Sequence, residues 1–284
     1  MAQVASRLPR SSSEPICRVV GSLWHAASPA AREAVRDNLR HVLGREPDQR
    51  TVREVFFHGA LNYWDILAIP RFSHALLRQI VTVHGLEHVA AGRALGHGVL
   101  IAGAHLSSVS LVGHIVPAQG YPMVSMLEPI EPPRLLEFFT RTRNAMGLRM
   151  LPASSAALRE LIATLRRNEV IGVVSDRDIT GKGPFVQFFD ASTRFPDGLP
   201  SLALRTGAPL LTGVAVRKPN GIFEAIIDPP ITFERSGDLK VDVVALTQAM
   251  ARRLEYHVAQ HPEQWTVFQK RWPARLGPGL SSEQ

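Results

Sequence analysis

The chain has 284 residues, of which 45% are hydrophobic, and its formal net charge at pH 7 is +7. This length and composition allow a large buried core, and we expect one domain rather than two. The only cysteine, Cys17, excludes an intramolecular disulfide and a zinc site made of several thiolates. Four of the 32 basic residues are lysine. Arginine therefore carries the excess charge, which favours anionic partners without identifying one.

The N-terminal part of the chain is predicted to be helical after a short tail. Residues 1–14 are typical of a disordered tail. The apolar stretch at residues 16–27, "ICRVVGSLWHAA", is interrupted by Arg18 and is shorter than the roughly 20 residues of a membrane span. Apolar residues at helical spacing then predict two helices, at residues 28–44 and 51–70.

From residue 99 onward, apolar strands alternate with amphipathic helices. Strands are predicted at residues 99–104, 122–127 and 170–176, with helices around residues 111–117 and 154–168. This alternation predicts an α/β fold with a central, mostly parallel sheet flanked by helices on both faces. The expected domain covers residues 15–276, and residues 277–284 are expected to form a flexible tail.

The C-terminal third is predicted to complete the same fold. A loop-rich stretch at residues 180–198 precedes a short helix and the strand "LLTGVAVR". Asn220-Gly221 is a hairpin signal that joins this strand to the next one. Residues 241–260 have the spacing of a long closing helix.

Two of the predicted strands run into ionisable residues, His105 and Asp176. The carboxyl ends of parallel strands lie at one edge of a sheet, where ligands bind in open α/β folds. We therefore expect His105 to act as a general base and Asp176 to fix its tautomer and stabilise its protonated form. Ser107 and Ser108 are expected to cap the next helix, whose free N–H groups could bind an oxyanion or a phosphate.

Five segments in this order resemble the lysophospholipid acyltransferase superfamily, on the branch of lipid A lauroyl acyltransferases and phosphatidylinositol mannoside acyltransferases. They are "VRDNLRHVLG", "GVLIAGAH", "SDRDITGKGPFVQFF", "RFPDGLPSLALRTGAPLL" and "HPEQWTVFQKRWP". The resemblance implies an α/β fold and a cleft for an acyl thioester. The family signature is histidine, four residues, then an acidic residue, but here the acidic position is Ser110.

Ser110 can hydrogen-bond to His105 but cannot supply a negative charge. Asp176 is one candidate for the missing charge. A second interpretation is an acceptor that is a better nucleophile than an alcohol, such as an amine, and a third is a catalytically silent homologue that binds acyl chains or a carrier. By the same resemblance, Arg177 and Arg194 are expected to face phosphate groups, and residues 195–198, from Phe195 to Gly198, to contact the acceptor.

The predicted activity is acyl transfer from acyl-coenzyme A or acyl-carrier protein to a hydroxyl or amine of a small molecule or glycolipid. No metal and no other cofactor is expected. An aminoacyl-tRNA donor is a weaker alternative, because the basic residues are dispersed and no RNA-binding motif occurs. The expected location is the cytoplasm, with peripheral contact at the inner face of the plasma membrane left open.

Overall fold

The computed structural model describes residues 12–108, 111, 113–127, 133–144, 147–152 and 155–272. The N-terminal segment consists of helices α1 (Ser13–Ala27), α2 (Pro29–Leu43) and α3 (Gln49–Ala68), and a 3-10 turn (Ile69–Arg71) follows. The predicted helices at 28–44 and 51–70 are confirmed. Helix α1 begins at Ser13, so it includes the last two residues of the predicted tail. Residues 1–11 and 277–284 lie outside the described residues.

The remaining elements alternate between helix and strand as far as residue 174, and after it two pairs of successive strands are each followed by a helix. They are α4 (His74–Ile80), β1 (Val81–His84), α5 (Leu86–Ala94), β2 (Val99–Gly103), α6 (Ile115–Ala118), β3 (Met123–Leu127), α7 (Pro133–Arg143), β4 (Leu148–Pro152), α8 (Ser155–Arg166), β5 (Val170–Val174), β6 (Phe185–Phe188), β7 (Ala191–Arg194), α9 (Gly198–Thr206), β8 (Leu210–Arg217), β9 (Phe223–Ile227), α10 (Leu239–Gln260) and a final 3-10 turn (Pro262–Gln264).

Seven strands form one sheet in the order β1-β9-β8-β2-β5-β3-β4, and every neighbouring pair is parallel except β8 and β9. The β8–β9 pair is the hairpin predicted at Asn220-Gly221. Strands β6 and β7 form a separate antiparallel hairpin within the predicted loop-rich stretch. The predicted α/β fold with a mostly parallel sheet is thereby confirmed.

Alternate residues of the central strands point into cores on opposite faces of the sheet, as the two-residue period of a strand requires. Leu100 and Ile171 belong to the core that also contains side chains of α8, α9 and α10, whereas Val99 and Val170 pack in the core on the other face. Near-continuous apolar strands are stable only when both faces are covered. The two cores leave the carboxyl edge of β2 and β5 as the place where polar groups gather.

Candidate active site

His105 and Asp176 lie in contact at the carboxyl edge of the sheet. Strands β2 and β5 are parallel neighbours in the sheet, with Gly103 paired to Val174. His105 lies two positions beyond Gly103, and Asp176 lies two positions beyond Val174. The register of the two strands therefore places His105 and Asp176 side by side. The Nδ1 atom of His105 is 2.6 Å from Oδ1 of Asp176.

The carboxylate of Asp176 is fully buried and is held by three donors. Besides the His105 ring, its Oδ2 accepts from the backbone N–H of His105 at 2.9 Å and from Nε1 of Trp265 at 2.8 Å. Burial alone would raise the pKa of Asp176, but the charge of His105 and these hydrogen bonds outweigh it and lower the pKa to about 2. The carboxylate therefore stays ionised at neutral pH.

This contact determines which imidazole atom remains for chemistry. An ionised carboxylate can only accept, so Nδ1 of His105 carries the proton and donates it to Asp176. The other ring nitrogen, Nε2, is then the basic atom. The His105 side chain is 23% exposed, so the arrangement suits a general base whose tautomer is fixed from behind by a buried anion.

The chain returns to this site after α10 and pairs with the residues that follow β2. The backbone N–H of Thr266 donates to the carbonyl of His105 at 2.8 Å, and the N–H of Ser107 donates to the carbonyl of Gln264 at 2.8 Å. Trp265, which lies between them, reaches Asp176. In the sequence, "HPEQWTVFQKRWP" is distinguished only as a family segment. No pattern in it predicts that it supports both His105 and Asp176.

Arg271, in the same returning segment, holds the backbone behind Asp176. Its buried guanidinium donates to the carbonyl of Asp176 at 2.5 Å, to Oγ1 of Thr193 at 2.7 Å and to the carbonyl of Arg194 at 2.7 Å. Burial lowers the pKa of Arg271 to about 10, although Asp176 and Asp178 counteract it. It remains a cation at neutral pH and fixes the turn after β5.

Ser108 bonds to a buried ion pair with its hydroxyl. Its Oγ donates to Asp65 on α3, and Arg217 at the end of β8 donates to the same carboxylate oxygen. A hydroxyl that donates can still accept a hydrogen bond, so the capping of the following helix by Ser108 stays a prediction. This cluster ties the N-terminal helices to the loop after His105, a link that sequence reasoning missed.

Ser107 is the strained residue of that loop. Its φ of 56° lies in the left-handed region, which a residue with a side chain rarely adopts. Its buried hydroxyl has no hydrogen-bond partner among the residues that the structure describes, so no capping bond from Ser107 is seen there. Ser110 lies outside the described residues, and its predicted contact with His105 stays a prediction.

A basic cavity of about 270 Å³ lies beside the turn that follows Asp176. Its lining includes both arginines expected to face phosphates, Arg177 and Arg194, together with Lys270. The guanidinium of Arg194 lies 4.1 Å from the ring centroid of Phe185 and donates to the carbonyl of Gly183 at 2.7 Å. The structure thus places these cations at one opening, next to the turn that follows Asp176.

The segment at residues 195–198 is divided between the core and the surface. Phe195 is fully buried: its ring centroid lies 4.9 Å from that of Phe188, and the guanidinium carbon of Arg271 lies 4.7 Å from the Phe195 ring centroid. The ring has no exposed surface in this structure, and its contact with the acceptor stays a prediction. Gly198 is exposed at the start of α9, with open space beside it.

A second, apolar cavity of about 100 Å³ lies on the other side of the strand ends. It begins beside the site, since Ala104 and Leu106 on either side of His105 line it, and it continues to Ser125 on β3. Three glycines of the central strands also line it: Gly103, Gly172 and Gly213. A side-chain carbon at Gly172 would lie 2.9 Å from Sδ of Met123, and one at Gly213 would lie 2.7 Å from Cγ2 of Ile101, so the glycines let these side chains pack closely against the strands.

The fold and the site together define an α/β protein with a histidine–aspartate pair at the carboxyl edge of its sheet. Residues 2–274 match the family described as "Bacterial lipid A biosynthesis acyltransferase", and the chain belongs to this family. The resemblance inferred from the motifs is confirmed, and so is the expectation that the protein is an acyltransferase.

Curated relatives show the same similarity over most of the chain. The phosphatidylinositol mannoside acyltransferase of Mycobacterium tuberculosis (strain ATCC 25618 / H37Rv) is 32% identical over 254 residues, covering 86% of this chain and 78% of the relative. That of Mycolicibacterium smegmatis is 28% identical over 280 residues, covering 95% and 90%. The lipid A biosynthesis palmitoleoyltransferase of Escherichia coli (strain K12) is 25% identical over 201 residues, covering 70% and 63%.

Proposed function

We propose that the protein transfers a fatty acyl group from a thioester, acyl-coenzyme A or acyl-carrier protein, to a hydroxyl of a glycolipid, with His105 as general base. The observation that carries this proposal is the 2.6 Å contact between His105 and the buried, ionised Asp176. The similarity to phosphatidylinositol mannoside and lipid A acyltransferases supports a glycolipid acceptor. An amine acceptor is the competing choice.

The reaction needs one proton transfer in each direction. Nε2 of His105 removes the proton of the acceptor hydroxyl while the oxygen attacks the thioester carbonyl, and a tetrahedral oxyanion forms. When this intermediate collapses, the carbon–sulfur bond breaks and the thiolate leaves, taking the proton back from His105. Asp176 stabilises the imidazolium between these steps. In this proposal Asp176 supplies the charge that Ser110 lacks.

The two cavities fit the two ends of such a donor. The apolar cavity would take the part of the acyl chain next to the carbonyl, where burial of each methylene contributes about 0.8 kcal/mol. The basic cavity would take a phosphate, because arginine forks onto phosphate oxygens with charge-assisted hydrogen bonds. We assign that role to Arg177, Arg194 and Lys270, which line it.

The proposed working place is the inner face of the plasma membrane. No helix among the described residues has the length and apolar character needed to cross a bilayer. A glycolipid acceptor is anchored in a membrane, so a protein that acylates it must meet the acceptor at the membrane surface. Peripheral attachment is therefore part of the proposal.

Thiol release tests the proposal with a small panel of substrates. Acyl-coenzyme A and acyl-carrier protein are each offered with a mannosylated phosphoinositide or with an amine, and mass spectrometry identifies the acylated product. We expect His105→Ala to lower kcat by about 10²- to 10⁴-fold, the range of a lost general base. His97→Ala is the control, because His97 is exposed and lies before β2.

Three results would count against parts of the proposal. Activity that survives His105→Ala would show that His105 is not the general base. A Ser110→Ala variant that loses as much activity as His105→Ala would show that Asp176 does not substitute for the motif acid. Donor binding without release of thiol from any donor, aminoacyl-tRNA included, would favour the silent homologue.

A further inference from the structure

The outward face of α1 is apolar over its whole length. Val19 is 61% exposed and Leu23 is 65% exposed, and Val20 is also exposed. At 100° per residue these three side chains lie within an arc of about 100°, less than one third of the helix circumference. The residues that share this side of the helix are also uncharged: Pro15, Ile16, Ala26 and Ala27. Glu14, the one acidic residue of α1, lies on the opposite side.

This face is presented by a firmly packed helix. The inner side of α1 rests on α3 through Cys17 and Gly21, which are both buried. A side-chain carbon at Gly21 would lie only 2.9 Å from the backbone of Phe57, so the two helices are in close contact there. The apolar residues therefore point outward because the other side of the helix is already used.

An aromatic and several cations border the apolar face. Tyr63 of α3 is 53% exposed, and its ring centroid lies 6.1 Å from that of Trp24. At the C-terminal end of α1, the guanidinium of Arg32 donates to the carbonyls of His25 and Ala26, and Ala26 is on the apolar side. Burial and the charges of Arg32, Arg53 and Arg36 lower the pKa of His25, so these cations gather at that end of the helix. Tyrosine and arginine are the residues that settle at the headgroup level of a bilayer.

We propose that this surface, the α1 face formed by Val19, Val20, Leu23 and Tyr63, inserts into the headgroup region of an anionic lipid bilayer. It is a one-sided apolar helix with cations at its border, which is the arrangement of interfacial helices. The inference names the surface through which the proposed function would reach its acceptor. Its test, however, measures lipid binding alone.

Charge favours lipid over the two other occupants of the face. A symmetric dimer with parallel α1 helices would bring the arginine clusters of the two copies together, which is repulsive. Residues 1–11 contain two arginines and no acidic residue, so they complement this border poorly. Anionic headgroups match both the apolar centre and the cationic border.

The position of the α1 face also suits the reaction. Tyr63 and Asp65 lie two positions apart on α3, so they point to opposite sides of a helix that is about 10 Å across. Asp65 accepts from Ser108, three residues after His105. Docking through the α1 face would thus hold the His105 loop about one helix diameter from the bilayer surface.

Sedimentation with vesicles tests the proposal. The full chain is mixed with vesicles of phosphatidylcholine, with or without phosphatidylglycerol. We expect wild type to sediment with the anionic vesicles. Leu23→Glu should bind them about 10- to 100-fold more weakly, because a leucine that enters the bilayer is replaced by a charge. Leu95→Glu is the matched control: Leu95 is 60% exposed at the end of α5, and its binding should change less than twofold.

The cationic border is tested separately with Arg53→Gln. Loss of one arginine near an anionic surface should weaken binding about fivefold, and only when phosphatidylglycerol is present. Circular dichroism and a thermal melt check that each variant is folded, and Val19→Ser serves as a milder variant if Leu23→Glu unfolds.

Several outcomes would overturn the inference. Wild type that fails to sediment with anionic vesicles, or a folded Leu23→Glu that sediments like wild type, would show that the α1 face does not bind the bilayer. A dimer that Leu23→Glu converts to monomer would assign the face to a second copy. Binding that appears only after deletion of residues 2–11 would assign the face to the tail. Thiol release from a short-chain, water-soluble donor shows whether the chemistry survives independently.

Discussion

His105 contacts Asp176 at 2.6 Å through Nδ1, whereas His257 contacts Asp228 at 2.7 Å through Nε2. By distance the two pairs are nearly the same. The His257 side chain is only 6% exposed, on the buried side of α10. Nε2, the ring nitrogen farther from the backbone, is the one that contacts the carboxylate of Asp228. In His105 the carboxylate contacts Nδ1 instead, so Nε2 is not held by Asp176.

The carboxylates of the two pairs also have different neighbours. Asp228 accepts a hydrogen bond from Thr212 of β8 and lies 3.9 Å from Arg253 of α10, so its pair joins the sheet to the closing helix. Asp176 is held by an indole and a backbone N–H from the site itself. A close histidine–carboxylate contact is therefore insufficient to mark a catalytic base, and the free nitrogen and its exposure decide.

Amide substitution of each carboxylate gives the largest expected difference. We expect Asp176→Asn to lower kcat by about 10³- to 10⁴-fold, because the amide no longer fixes the tautomer or stabilises the imidazolium. Asp228→Asn should leave kcat within threefold of wild type. Thiol release measures both, and partial recovery in Asp176→Glu would show that the loss is electrostatic. Equal losses at Asp176 and Asp228 would contradict the distinction between the pairs.

The contact between His105 and Asp176 could be predicted from the sequence because it follows from strand order. Two apolar strands in a parallel sheet bring their final residues to one edge, whatever the connecting chain does. Trp265 is 89 residues from Asp176 along the chain. No periodic pattern specifies a contact of that separation. The contact of Ser108 is of the same kind: a serine before a helix predicts a cap, but no pattern predicts that its hydroxyl also donates to Asp65 of α3, 43 residues away.

A third histidine shows what burial does without a carboxylate in contact. Among the described residues no carboxylate forms an ion pair with His58 on α3. Burial lowers its pKa to about 4, and although Glu263 and Glu54 oppose that shift, Arg217 and Arg18 add to it. The unfolded chain therefore binds a proton near pH 6.5, while the folded chain does so only near pH 4.

Acid should therefore destabilise the fold through His58. Between pH 7 and pH 4 we expect the free energy of unfolding to fall by about 3 kcal/mol from this group alone. Denaturant unfolding at several pH values measures the slope, and His58→Gln should remove most of it. A slope that is unchanged in His58→Gln would show that other groups cause the acid sensitivity.

The pair of His257 and Asp228 should have its own effect on stability, smaller than that of His58. At pH 7 we expect Asp228→Asn to lower the free energy of unfolding by about 2 kcal/mol, because hydrogen bonds to a charged group are lost. Burial would raise the pKa of Asp228, but its bonds to His257 and Thr212 and the charges of His257 and Arg253 lower it below 3.8. Its contribution is therefore present above pH 4 and is lost as the pH falls through the depressed pKa.

The same denaturant experiment measures the gap between wild type and Asp228→Asn. The gap should narrow below pH 4. A gap that stays constant down to pH 2 would show that packing, and not the charge of Asp228, causes the loss.

Two tryptophans allow the smallest and sharpest test, because both donate an indole N–H but only one donates to the site. Nε1 of Trp265 donates to Asp176 at 2.8 Å, whereas Nε1 of Trp272 donates to the carbonyl of Ala191 at 3.3 Å. Phenylalanine keeps most of the ring and removes the donor. We expect Trp265→Phe to lower kcat about tenfold, the equivalent of one hydrogen bond to a charged group. Trp272→Phe should change kcat less than twofold. With one bond fewer the pKa of Asp176 should rise, but the group remains ionised at pH 7, so kcat should fall without a change of KM for the donor. A Trp265→Phe enzyme with raised KM and normal kcat would place Trp265 in substrate binding instead of in support of the carboxylate.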